Sequence, residues 1–189
     1  MTATTAAPVL VDQLPAHRLR DVTTIAGSLA LLWAAGNVMI PLPFTPVPLS
    51  LATFSVLLLG AALGPGRAAI TTGLYLVLGV VGVPMFAGGA SGWAFASFGY
   101  VLGYLAAAVL VGQLARRRQD RSFGRTALLA LAGTSVIYLL GVPWLMGFLR
   151  VDLLTALQLG VFPFLIGDAV KAVAAALVLP SAWRLIGHR

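Results

Sequence analysis

Apolar residues come in long runs along this chain, not in the short alternation of strands or the one-sided stripe of soluble helices. The runs predict membrane-crossing helices at about residues 22–40, 49–63, 67–83, 99–115, 124–144 and 163–183. Roughly 20 apolar residues carry a helix across a bilayer core. The second run is short and the third barely sufficient, so both cross with little tilt or lie shielded by neighbours. Proline and glycine set the breaks. Residues 41–48 (PLPFTPVP) hold four prolines, which fix φ and donate no amide hydrogen bond. Gly64-Pro65-Gly66 predicts a tight turn, and residues 84–92 (PMFAGGASG) a glycine-rich loop without charge. Between residues 145 and 162, LRVDLLTALQLG predicts a short amphipathic helix on the membrane surface. Residues 1–21 predict a mobile, partly polar tail without the basic start and apolar core of a cleaved signal. The expectation is an all-α integral membrane protein, with a cytoplasmic tail at 1–21 and a single six-helix transmembrane domain at 22–187.

Composition agrees. The 189 residues are 60% hydrophobic and 9% charged, with a mean hydropathy of +1.00. Soluble domains carry about 25% charged residues, so this chain has too few to cover a water-exposed surface. Cysteine and glutamate are absent, and His17 and His188 lie near the termini, which removes thiolate and histidine chemistry from the membrane. A net charge of +7 would suggest nucleic acid in a soluble protein. Here it sets orientation, because the arginines fall between apolar runs. Arg18, Arg20, Arg67, Arg116, Arg117, Arg118, Arg121, Arg125, Arg184 and Arg189 all fall on one face, ten of the twelve basic residues. Arg150 stands alone on the other, and Lys171 lies inside a run. The positive-inside tendency then makes both termini cytoplasmic. No phosphate-binding G-x-x-x-x-G-K-[ST] loop, HExxH motif or acidic metal-binding set occurs, so the expectation is no ATP hydrolysis, catalytic residue, metal or cofactor in this chain.

Charge inside an apolar run is costly and marks a functional site by default. Asp168 and Lys171, spaced i and i+3, share one helix face in the last run. Counting from Pro163 at about 1.5 Å per residue, they lie roughly 7.5 and 12 Å deep in the outer half of the bilayer. A pair that only fixed helix packing would carry several kcal/mol of desolvation per ion for little net stability. A ligand-facing pair accounts for it better, with Lys171 receiving an anion such as a carboxylate and Asp168 accepting N–H donors or orienting Lys171. The two uncharged outer loops predict a lid above the pair, with Phe44, Phe86, Trp93 and Tyr100 as candidate apolar walls. Small residues at Ala30 and Ala34, Gly60 and Gly64, and Gly99 and Gly103 allow close helix approach. Ala30 and Ala34 are candidates for docking another membrane subunit.

IPLPFTPVPLSLATFSVLLLGAALGPGRAA, then GLYLVLGVVGVPMFAGG, Gly99-Tyr100 and GDAVKA resemble the BioY family over about residues 30–178. That family is the biotin-specific substrate-capture component of energy-coupling factor transporters. The resemblance implies its six-helix bundle and high-affinity biotin capture near the outer face. By the same resemblance, the substrate-binding residues are Asp168 and Lys171 of the GDxxK pattern, Tyr100, the loop residues Phe86, Gly88 and Gly89, and Phe44 and Thr45. Asn37 falls where the family often has a glutamine. Partners implied are biotin, a membrane coupling subunit and two cytoplasmic ATPases, within the lipid bilayer and without nucleic acid; self-association into a homo-oligomer stays open. The chain departs from the family's T-L-Q-T at Ser50-Leu51-Ala52-Thr53, and from G-P-T-G-G-Y at residues 95–100. The rival readings are a proton-coupled secondary transporter of another small carboxylate, and a structural subunit whose Asp–Lys pair only locks helices.

Overall fold

The computed structural model describes residues 7–13 and 19–187. Arg18, Arg189, His17 and His188 lie outside the described residues. Helices dominate: α1 (Arg20–Asn37), α2 (Ala52–Val80), α3 (Phe98–Arg116), α4 (Phe123–Leu149), α5 (Leu153–Gly160) and α6 (Leu165–Gly187). Four helical stretches are long and apolar enough to cross a membrane by length and composition. Between α1 and α2 lies a small antiparallel hairpin of β1 (Met39–Ile40) and β2 (Leu49–Ser50), with Met39 opposite Ser50.

The turn expected at Gly64-Pro65-Gly66 is the break in α2. Gly64 sits at φ 77°, ψ 172°, a conformation closed to residues with a Cβ. Pro65 follows it, where a helix start tolerates a missing N–H. The break reverses the chain. Thr53 and Tyr75 line the same cavity, although a straight helix would separate 22 residues by about 33 Å. Residues 52–63 and 65–80 are therefore two antiparallel arms.

Glycine governs how closely the arms and helices pack. A Cβ on Gly112 of α3 would sit 2.5 Å from Pro65 N, and one on Gly103 would sit 2.7 Å from Ile137 Cα of α4. Neither neighbour is a side chain that could swing aside. With lipid as solvent, such close backbone approach is a main source of helix–helix attraction.

Two ends of the bundle differ in chemistry. At one, Arg67 of α2 pairs with Asp12 at 2.8 Å and Asp21 at 3.0 Å. Arg121 donates to Pro8 O at 3.0 Å and lies 3.7 Å over the Trp183 ring, while Trp183 Nε1 donates to Asp120 Oδ2 at 2.6 Å. Residues 7–13 are thus docked on the bundle, with Val9 fully buried, where the sequence predicts a mobile tail. Burial alone would raise the Asp12 carboxyl, but the Arg67 hydrogen bond, the Val9 amide, and the Arg67 and Arg116 charges outweigh it and hold Asp12 below its ordinary value. The opposite end holds the β-hairpin, residues 81–97 and α5. There α4 continues to Leu149, past the expected stop at 144, and ends at Arg150 in a left-handed conformation with φ 57°. Asp152 then caps α5 by accepting from Thr155 N at 3.2 Å. The amphipathic helix therefore covers Leu153–Gly160, the last part of the LRVDLLTALQLG string expected to form it.

Candidate functional site

Beneath the hairpin and the 81–97 loop lies a cavity of about 350 Å³. Its walls are the hairpin (Met39, Pro41, Thr45, Pro46), the first turn of α2, the segment around Phe86, and inward faces of α3, α4 and α6. That volume falls in the range of roughly 300–1,000 Å³ typical of small-ligand pockets.

Asp168 and Lys171 face this cavity from α6, as the sequence predicts. They pair at 3.3 Å, and each side chain is only 11% exposed. The pair is braced from two other helices. Lys171 Nζ donates to Thr53 Oγ1 of α2 at 2.7 Å. The Tyr138 hydroxyl of α4 donates to Asp168 Oδ2. An ammonium has three protons; Asp168 and Thr53 take two, which leaves one N–H for the cavity.

Two further side chains shape the rim. The last carbonyls of a helix lack intrahelical donors. At the end of α5, Thr45 Oγ1 donates to Leu159 O at 2.6 Å and the Tyr100 hydroxyl donates to Gly160 O at 2.9 Å. One short helix thereby ties the hairpin to α3. Thr45, Phe86 and Tyr100 all line the cavity. Gly88 and Gly89 do not; they build the turn that aims Phe86 into it. Both have positive φ, 70° and 75°, and Phe86 N bonds Ala90 O at 3.0 Å across the turn. The Phe86 ring lies so close to Gly79 that a Cβ there would meet it at 2.1 Å.

Asn37 and Phe44 lie outside the cavity lining. Asn37 closes α1 by donating to Trp33 O at 2.9 Å, and Phe44 is 60% exposed at the hairpin tip. Trp93, one of the expected walls, is 59% exposed. The proline-rich hairpin turns Pro41, Thr45, Pro46 and Pro48 inward, while Pro43 and Phe44 at its tip stay exposed. Ala30 and Ala34 lie on an exposed face of α1.

Sequence reasoning did not assign Thr53, Tyr75, Tyr104 or Tyr138 to the site. The available signal was a set of hydroxyl-bearing residues inside apolar runs. Periodicity could not show that their helices converge. Among the described residues, no group of three or more His, Cys, Asp or Glu side chains could hold a metal ion.

The family model for the BioY family matches residues 5–188. The chain belongs to the BioY family. Among curated BioY relatives, the biotin transporter BioY of Thermotoga maritima is 34% identical over 74% of this chain and 82% of its own length. The probable biotin transporter BioY of Pyrococcus horikoshii is 34% identical over 90% of this chain and 99% of its own. A solved structure, the 2.1 Å crystal structure of the S-component for biotin from an ECF-type ABC transporter, superposes with a TM-score of 0.77. It is 26% identical and covers 90% of this chain and 95% of that one. The described bundle thus shares the fold of that S-component.

Proposed function

We propose that this chain captures biotin at the outer face of a cell membrane, as the substrate-binding component of an energy-coupling factor transporter. The observation that carries this reading is the Asp168–Lys171 pair, braced by Thr53 and Tyr138 in a largely apolar cavity of a BioY-family chain. The chain is a carrier of substrate, not an enzyme.

The pair's geometry refines how the ligand sits. Asp168 and Lys171 neutralise each other, so together they offer an acceptor and a donor without net charge. A cyclic urea matches that pattern: one of its N–H groups suits Asp168, and the adjacent carbonyl suits the remaining Lys171 N–H. A carboxylate at the same place would bury a third charge. Biotin therefore enters ring first. Its valerate carboxylate stays toward the hairpin, where water solvates it, and not at Lys171 as the sequence alone suggests.

Six crossings follow if the two arms of α2 each span a bilayer thinned or shielded around them. Arginine at the 7–13 end then places both termini in the cytoplasm. A membrane coupling subunit docks on α1 at Ala30 and Ala34, and two cytoplasmic ATPases supply the energy that a chain without a phosphate-binding loop lacks.

The test is equilibrium binding of labelled biotin to the detergent-purified chain, with biotin amide as competitor. The expected result is tight binding near one to one, with the amide competing within about threefold. Failure of a cooperatively melting wild type to bind biotin would overturn the function. Loss of affinity for the amide by tenfold or more would return the carboxylate to Lys171.

A further inference from the structure

All four tyrosines of the chain, Tyr75, Tyr100, Tyr104 and Tyr138, line the cavity. In membrane proteins tyrosine is enriched in the interfacial belts, where its ring is greasy and its hydroxyl wet. Here Tyr75 is 1% exposed, Tyr100 6% and Tyr104 7%. Two of the hydroxyls are already engaged, Tyr100 with Gly160 O and Tyr138 with Asp168. Those of Tyr75 and Tyr104 are not. Among the described residues neither hydroxyl has a hydrogen-bond partner, and Tyr75 Oη lies against α1, 3.0 Å from where a Cβ on Gly36 would sit.

A buried tyrosine hydroxyl normally finds a partner, and one left without is costly. Phenylalanine would fill the same ring volume. Phe86, Phe95 and Phe98 do so in the adjoining aromatic cluster, where ring centroids lie 5.5 to 6.3 Å apart. The two rings also sit together. The Tyr75 and Tyr104 rings are 6.5 Å apart and tilted by 39°. Tyr104 follows Tyr100 by one helical turn on α3, so both face the cavity from one stripe. Ala52 lines the same cavity, so at that position the first turn of α2 offers no polar side chain.

We propose that Tyr75 and Tyr104 are substrate-binding residues whose hydroxyls complete the polar floor for the ring end of the ligand. The class of group they read is a neutral cyclic urea. A hydroxyl both donates and accepts, so the pair serves the carbonyl and an N–H of one ring. The proposal rests on the biotin reading above and deepens it. The rings wall the cavity with or without ligand; only the hydroxyls await it.

The experiment measures binding of labelled biotin and biotin amide to wild type, Tyr75→Phe, Tyr104→Phe and the double variant. Each keeps its ring, and thermal melting in detergent checks the fold. Each single change should weaken biotin about three- to tenfold, the span expected for one hydrogen bond. The penalty should be equal for the amide, because the altered tail lies elsewhere. Biotin should also perturb the ultraviolet absorption of tyrosine in the wild type, a readout that needs no variant. Wild-type affinity in the double variant would overturn this proposal alone. A penalty that vanishes with the amide would move these hydroxyls to the carboxylate and overturn the ring assignment. A wild type that binds no biotin would remove the function and this proposal with it.

Discussion

Removing Lys171 separates a binding role for the Asp–Lys pair from a packing role. At 3.3 Å and an effective dielectric near 20, the gross attraction in the pair is about 5 kcal/mol. Lys171→Met leaves Asp168, 11% exposed, with Tyr138 and no cation. Breaking a buried pair from one side costs about 3–5 kcal/mol, mostly through the stranded charge. The single variant should therefore melt well below wild type. Asp168→Asn combined with Lys171→Met removes both charges at nearly constant volume and should recover most of that stability. Ligand contacts do not recover with it. Losing one charged hydrogen bond costs about 1.5–3 kcal/mol, or roughly 10- to 150-fold in Kd. The double variant should thus be stable and bind poorly. The assay pairs a melting curve in detergent with equilibrium biotin binding on the same preparation. Wild-type affinity in the double variant would refute the reasoning and leave the pair as a lock between α6, α4 and α2.

Three other expectations test the frame around the site. Gly103→Leu forces a side chain against Ile137 backbone that a Cβ alone would meet at 2.7 Å; the melting temperature should fall by an amount equivalent to about 1–3 kcal/mol, and an unchanged melt would refute the close-packing argument. Asp12 is held below the ordinary carboxylate value, so its contribution to docking residues 7–13 is present above about pH 3.9 and lost as pH falls through the folded value. A spin label at Gln13 should gain mobility only in that acid range, whereas Asp12→Asn should free it at neutral pH. Ala30→Leu with Ala34→Leu should leave biotin affinity unchanged and abolish uptake in cells that carry the coupling subunits and ATPases; normal uptake would exclude this face as the docking site.

Much of this protein is legible without its fold. Apolar runs and their breaks at proline and glycine specify where helices begin and end, because lipid allows no unsatisfied backbone between them. The turn at Gly64-Pro65 and the buried Asp168–Lys171 pair could be read the same way, since positive φ and buried charge each have few acceptable residues. Thr45 and Tyr100 also fall at the cavity. Asn37, Phe44 and Trp93 show the limit: residues near a site in sequence can face away from it, as the end of α1, the hairpin tip and the 81–97 loop each show.

Convergence was decided by tertiary structure alone. Thr53, Tyr75, Tyr104 and Tyr138 come from three helices and carry no spacing rule that joins them to Lys171. Hydropathy periodicity reports which face of one helix is apolar, not which neighbour covers it. Docking of residues 7–13 was hidden for a related reason. Asp12 looks like a solvated tail charge until the arms of α2 bring Arg67 beside it. The sequence by itself determined a membrane bundle with one charged pair inside its last apolar run. Packing, through glycine contacts that set how closely the helices approach, determined which polar groups surround that pair.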